Sequence, residues 1–294
     1  MPATTRTVLR RLLPRSVRNW LRRPGRSLAW ARDALAHAAG RDRTIEMRPG
    51  WTVRCHPAAW RTAYAAQVLD PAQVEELDAF LAACTPAMTL VDAGAHFGIF
   101  SLAALHAGGP GARAVAVDPS PAAVRMLGTE ARLNGVQDRL TIVAAAVGAA
   151  VGSAELVDAG VLAAGYYVQP EPGHPRRERR VVECVSIDAL CERLHLRPTH
   201  LKIDVEGFEA EALRGAAETL AGDAPPLVFL ELHNAIVRSA GGDAAGAVAA
   251  LEAAGYELRG CDGRPLARAD ALAPPLVRLV AIPRQLTGPS PDRP

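Results

Sequence analysis

The chain has 294 residues, 49 % of them hydrophobic, and a net charge of +2, which is ample material for one large core. The balance is uneven: residues 1–50 hold 12 arginines against Asp33, Asp42 and Glu46, a local charge of +9, so the remainder carries −7 and offers no broad nucleic-acid footprint. Five widely spaced cysteines without a Cys-x-x-Cys pair exclude a disulfide framework or structural zinc site and point to reducing cytoplasm, and no apolar run is long enough to span a bilayer.

In chain order, residues 1–45 read as a basic, partly helical arm interrupted by Pro14 and Pro24, with arginines breaking the only leader-like stretch, Val8-Leu9-Arg10-Arg11-Leu12-Leu13. Residues 46–88 read as a hairpin and helix cap: alternating segments suggest a hairpin from Ile45 to Pro57, and helical spacing of Val74, Leu77, Phe80 and Leu81 predicts a helix over Pro71–Ala83. Residues 89–283 then repeat strand, loop and helix, the signature of a doubly wound parallel sheet. Strands are expected at Thr89–Asp92, Ala114–Asp118, Leu140–Ala145, Leu201–Asp204, Leu227–Leu232, Tyr256–Arg259 and Val277–Ile282. Helices are expected near Gly98–His106, Pro121–Leu133, Ile187–Leu194, Phe208–Leu220 and Ala244–Ala254. Seven strands with the last two close together fit a Rossmann-like class I methyltransferase sheet, mostly parallel with an antiparallel edge strand and helices on both faces. Residues 151–182 depart from this rhythm and read as an insertion or lid, with Tyr166 and Tyr167 as covering residues, and residues 284–294 read as a disordered tail.

Val91-Asp92-Ala93-Gly94-Ala95-His96-Phe97-Gly98 has the grammar of a cofactor loop between a strand and a helix. Gly94 permits the tight turn and Gly98 close packing of the helix start. A carboxylate at the strand end repels a pyrophosphate but suits the amino group of S-adenosylmethionine (SAM), so the sign of the charge separates the two cofactors. Asp118, followed by Pro119 about 20 residues beyond the turn, is placed to accept ribose hydroxyls. Ala145 lies where the third strand closes near an adenine, and Asn134 reads equally as a helix cap or a ligand.

The second informative segment is Leu201-Lys202-Ile203-Asp204-Val205-Glu206-Gly207-Phe208-Glu209, which holds the only lysine of the chain against 32 arginines. Alternation along the strand puts Lys202 and Asp204 on one side, with Glu206 in the following turn. The three either form a structural ion pair or serve a substrate hydroxyl, with Asp204 or Glu206 as acceptor and Lys202 easing a developing alkoxide. Glu209 and Glu211 read as first-turn residues favoured by the helix dipole. His233, two residues after Glu231 on the next strand, is placed to take a proton near neutral pH. Asp204, Glu231 and His233 also offer donors for a divalent cation, but the spacing is unspecific and no metal is assigned.

Together with Asp118-Pro119, Ser186-Ile187-Asp188 and Glu231-Leu232-His233, these segments resemble the FkbM family of SAM-dependent methyltransferases over roughly Val91 to His233. The resemblance implies methyl transfer, usually to a hydroxyl, on natural-product or glycan acceptors. One departure stands out: the family's loop typically reads Gly-Ala-Asn, and here the third position is His96. The expected enzyme is therefore a cytoplasmic O-methyltransferase that binds SAM through Asp92, Gly94, Ala95, His96, Gly98, Asp118, Pro119 and Ala145. Its catalytic candidates are Lys202, Asp204, Glu206 and His233, and its partner is a small-molecule or glycan acceptor, with no nucleic acid and no integral membrane segment. A nucleotide-dependent oxidoreductase or epimerase and a non-catalytic SAM-binding module remain alternatives. Tyr64 and Arg176 to Arg180 are further hints of an acceptor cover.

Overall fold

The computed structural model describes residues 24–158 and 178–287. Helix α1 (Pro24–Ala38) lies beside the hairpin of β1 (Arg43–Arg48) and β2 (Trp51–Cys55). It is tied down by Trp30 stacked on His56 at 5.7 Å and by Asp33 paired with Arg61 at 2.6 Å, so this part of the basic arm packs on the body. Tyr166, Tyr167, Arg176 and Arg177 fall outside the described residues.

Seven strands form the central sheet in the order β11-β12-β10-β9-β3-β4-β5. Their spans are β3 Thr89–Ala93, β4 Arg113–Val117, β5 Leu140–Val143, β9 His200–Ile203, β10 Leu227–Leu232, β11 Tyr256–Gly260 and β12 Val277–Pro283, all within one or two residues of expectation. β12 alone runs opposite to the other six strands, antiparallel to both β10 and β11. It does not stand at the edge as expected: the chain turns back after β11 and inserts β12 between β11 and β10, which buries Leu279 and Ala281.

The helices start where their sequences supply caps. Asp70 accepts from Ala72 N at the start of α2 (Pro71–Ala83), and Ser120 accepts from Ala123 N at the start of α4 (Pro121–Leu133), each followed by proline at the first helical position. Helix α3 (Ile99–Ala107) starts at Gly98, which has no capping side chain. Asn134 ends α4 and ties it to the hairpin, donating to Glu130 O and Arg54 O and accepting from Arg54 N, which settles it as a cap. The expected single helix from Phe208 to Leu220 is two, α5 (Glu209–Arg214) and α6 (Ala217–Ala221); between them Gly215 sits against the Gly148 carbonyl, where a Cβ would come within 2.2 Å.

The flanks of the expected insertion are strands. β7 (Gly152–Asp158) and β8 (Glu178–Val185) pair antiparallel, and β8 also pairs with the short β6 (Ala146–Val147) in a second sheet. The chain beyond Pro283 continues as a helical turn over Arg284–Thr287, where the sequence suggests no structure.

Period-2 alternation divides the central sheet into two cores. Val91, Ala93, Leu201, Ile203, Val228 and Leu230 face one, and Leu90, Ala114, Ala116 and Phe229 face the other, beneath α2 and α3. Asp92 and Lys202 are direct partners across β3 and β9, and Lys202 is partnered by Phe229 on β10. A charged seam therefore runs under α2 and α3 at the carboxyl ends of three adjacent parallel strands. It lies at the switch point between the β4 and β9 sides of β3, where open α/β sheets bind ligands.

Candidate functional site

The loop after β3 is fixed by backbone hydrogen bonds. Gly94 N and Ala95 N both donate to Val117 O, at 2.9 and 3.0 Å. Gly94 has φ +81°, and a Cβ there would lie 1.8 Å from the Asp204 carbonyl oxygen, so only glycine lets β3 and β9 close at this point. Gly98, at φ +80°, instead makes room for Leu127 of α4. His96 also has positive φ (48°), its ring stacks on Phe97 at 3.8 Å, and its buried Nε2 has no hydrogen-bond partner. Burial pushes this imidazole down to about 4, so it is neutral.

Both sequence-predicted acids at the strand ends are buried. Asp92 does not point freely at a ligand: its Oδ2 accepts from Ser101 N (3.1 Å) and Ser101 Oγ (2.7 Å), so it supplies the missing cap of α3 from the neighbouring strand. Burial raises it to about 6 against these bonds. Asp118 accepts from His96 N (2.9 Å) and Ser120 N (2.8 Å), one on each oxygen. Burial raises it to about 7. Each of its oxygens keeps a lone pair for a further donor.

Lys202 does not converge on Asp204 and Glu206 as expected. Its ammonium is 2.8 Å from Glu76 on α2 and 3.7 Å from Glu231 on β10, and it sits 4.7 Å from the Phe100 ring centre. Arg278 on β12 bridges the same two carboxylates at 3.0 and 3.1 Å. Two cations and two anions thus neutralise each other beneath the site. Burial opposes the charge of Lys202, yet Glu76, Glu231 and Asp204 hold it above the usual lysine range. Burial opposes Glu231 as well, but Lys202 and Arg278 hold it down at about 2.

The remaining candidates meet around His233. Its Nε2 faces Glu206 at 3.4 Å, Asp204 at 3.8 Å and Glu231 at 4.0 Å, while its Nδ1 is 2.8 Å from Glu209 Oε1. Glu209 is therefore not a solvated first-turn residue: it is 1 % exposed, it also accepts from Gly207 N at 2.8 Å, and it fixes the imidazole plane. Burial opposes protonation of His233, but the bond to Glu209 and the nearby Asp204 and Glu206 raise it to about 9, so it is charged rather than neutral near pH 7. Burial and Glu231 push Asp204 well above the usual carboxylate range.

Every predicted site residue except Gly98 lines one cavity of about 330 Å³. Five carboxylates (Asp92, Asp118, Asp204, Glu206 and Glu231) face it against Lys202, Arg278 and the charged His233. Tyr64, read as a substrate cover, is fully buried in the cavity wall, on a π-helical turn over Trp60–Tyr64, and its hydroxyl donates to Phe97 O at 2.7 Å, bracing the loop. The sequence reading missed Glu76, Glu209 and Arg278. Only Glu209 carried a local signal, as the last acid of the lysine segment.

The Methyltransferase FkbM domain model matches residues 92–258, more than half of the chain. The chain belongs to the FkbM methyltransferase family. Family membership places a methyltransferase-type domain over the cavity rather than a dinucleotide oxidoreductase one. Among solved structures, this FkbM-family chain is similar to Methyltransferase FkbM from Methylobacillus flagellatus KT at 16 % identity and TM-score 0.44. That match covers 77 % of this chain and 55 % of that one, so the chain spans about half the length of this relative. It is also similar to Aeropyrum pernix fibrillarin, solved with S-adenosyl-L-methionine, at 13 % identity and TM-score 0.40 over 82 % of each chain. Pyrococcus horikoshii TYW2, solved with MeSAdo, matches at 14 % identity and TM-score 0.38 over 82 % of this chain and 69 % of that one. No curated protein matches the chain. Among the described residues, no helix is long and apolar enough to cross a membrane.

Proposed function

We propose that this FkbM methyltransferase transfers a methyl group to a hydroxyl oxygen of a small-molecule natural product or a glycan. The observation that carries the reading is the continuity of one acidic cavity from the Gly94 loop and Asp118 at one end to Asp204, Glu206 and His233 at the other. A surplus of carboxylate over cation suits a sulfonium donor and disfavours a phosphate-bearing one. The residues fit that donor. Asp118 has a free lone pair on each oxygen for ribose hydroxyls, and Pro119 and Ala145 shape the adjoining wall. Gly94, Ala95 and the orphaned Nε2 of His96 line the turn, while Gly98 acts from behind by seating α3 against α4. Asp92 contributes its charge through the wall, because Ser101 holds one of its oxygens.

When bound, SAM supplies an electrophilic methyl on a sulfonium that leaves readily. The protein aligns the acceptor and excludes water. Asp204, with 31 % of its side-chain surface open, and Glu206, with 25 %, present oxygens to an acceptor hydroxyl, and His233, oriented by Glu209, faces the same point. Lys202 acts from beneath as a counter-charge and does not reach the acceptor. Calorimetry with SAM, followed by tritium transfer from labelled SAM to a panel of hydroxylated acceptors, tests the reading. Saturable SAM binding with label in an acid-stable ether is expected. Failure to bind SAM would end it, and binding without transfer to any acceptor would favour a non-catalytic SAM-binding module.

A further inference from the structure

Three donors of different elements converge at the His233 end of the cavity: an oxygen of Asp204 from the end of β9, one of Glu206 from the following turn, and Nε2 of His233 from the end of β10, all within 4.8 Å of one another. The two separations from Nε2 are those of ligands around one ion. Two donors each about 2.2 Å from a cation lie about 3.1 Å apart at a right angle and about 4.4 Å apart when opposed. The observed 3.4 Å from Nε2 to Glu206 and 3.8 Å from Nε2 to Asp204 fall between these limits.

Two further observations point to a missing ligand. His233 turns Nε2 toward three carboxylates, Glu206, Asp204 and Glu231, at 3.4, 3.8 and 4.0 Å, without a hydrogen bond to any of them. The Asp204 oxygen nearest to it, Oδ1, is buried and also has no hydrogen-bond partner. Metal-bound histidines almost always give their other ring N–H to a carboxylate, a backbone carbonyl or water, and Glu209, which lies outside the donor set, holds Nδ1 in that way at 2.8 Å.

We infer that Asp204, Glu206 and His233 form a binding site for one divalent cation of the first transition row, with Glu209 as the positioning residue of the imidazole. Two carboxylates with one imidazole match Mn²⁺ better than an all-oxygen Mg²⁺ cage or a thiolate-rich zinc site. The ion takes the place of the proton on His233 Nε2, and three protein donors leave coordination positions open toward the cavity, where an acceptor hydroxyl can enter. This deepens the hydroxyl-transfer reading and rests on it for the identity of the incoming ligand, but not for the existence of the site.

The test uses the full chain stripped with chelator and titrated with MnCl₂, followed by calorimetry and by loss of the free-Mn²⁺ electron paramagnetic resonance signal. One Mn²⁺ per chain with micromolar affinity is expected, weakened at least tenfold by D204N and by E206Q and about 10- to 100-fold by E209Q. Unchanged melting temperatures of these variants would assign the loss to the site itself. No binding by the wild-type chain below millimolar Mn²⁺ overturns the inference, as does binding that D204N and E206Q leave intact. SAM titrations on the same samples separate the two claims: SAM bound without Mn²⁺ sinks the cation site alone, and Mn²⁺ bound without SAM sinks the methyl-transfer reading alone.

Discussion

Gly94 and Gly98 make a controlled comparison, because alanine at either is forced into the same left-handed backbone, φ +81° and +80°, at a common cost of about 1–2 kcal/mol. They differ in what the added methyl meets. At Gly98 the obstacle is Leu127 Cδ2 at 2.5 Å, the tip of a flexible side chain that can swing aside, so G98A should lose about 2–3 kcal/mol in all. At Gly94 it is the Asp204 carbonyl oxygen at 1.8 Å, with its carbon at 2.8 Å. Real Cβ contacts essentially never fall below 3.0 Å, so β3 and β9 would have to part by more than an ångström. The hydrogen bond from Asp204 N to Ala93 O, 2.9 Å long, lies on the line of separation. G94A should therefore lose more than about 4 kcal/mol, in the range reserved for named structural failures. Urea unfolding midpoints with unchanged slopes would measure both. Losses equal within about 0.5 kcal/mol would refute the reasoning, because they would show that backbone strain alone, and not the closure of β3 on β9, demands glycine.

Removing Glu76 should be costly, because it leaves Lys202 buried with only Glu231, 3.7 Å away and shared with Arg278; E76A is expected to lose about 3–5 kcal/mol in urea unfolding, and a much smaller loss when paired with K202M. A near-zero loss for E76A alone would show the network to be idle. The pH dependence of stability should carry the mark of Glu130, which is 1 % exposed, accepts from His56 N with Oε1, leaves Oε2 unpartnered and is raised by burial from 4.5 to about 8. A raised folded-state value means that the neutral acid is favoured in the fold, so its contribution is fully present below pH 4.5 and is lost as pH rises through 8, on the order of 5 kcal/mol across that window. E130Q should accordingly flatten the fall in melting temperature between pH 5 and pH 8.5, and parallel curves for the two proteins would contradict this.

The central sheet was legible because its signals are local. Each strand from Thr89 to Ile282 alternates or runs apolar between turn residues, and the residues at the carboxyl ends are fixed once the strands are placed. The strand-end acids and His233 were therefore found, but their partners were not. Glu76 sits beside Glu75 on a helix, where both read as solvent-facing, and nothing within 100 residues marks it as the mate of Lys202. Arg278 is one of 32 arginines, and its place depends on β12 slipping inside β11, a choice of strand order that periodicity does not encode. Glu209 was misread for another reason: a first-turn acid has a sufficient local explanation in the helix dipole, which hid its contact with a histidine 24 residues away. The sequence reading aims Asp92 at the amino group of the donor; its role as the cap of α3 is not legible there, because the capping debt arises only once Gly98 is known to start that helix.

The position of Lys202 also makes the molecule unusual to handle. Its side chain is the sole primary amine borne by any residue side chain here, and only 1 % of it reaches solvent. Acylating reagents that decorate ordinary enzymes at many points would find that amine sealed while the fold holds, and would reach it only when the core opens. Its modification rate is thus a built-in reporter of global opening, counted by mass at a single known position with no engineered probe.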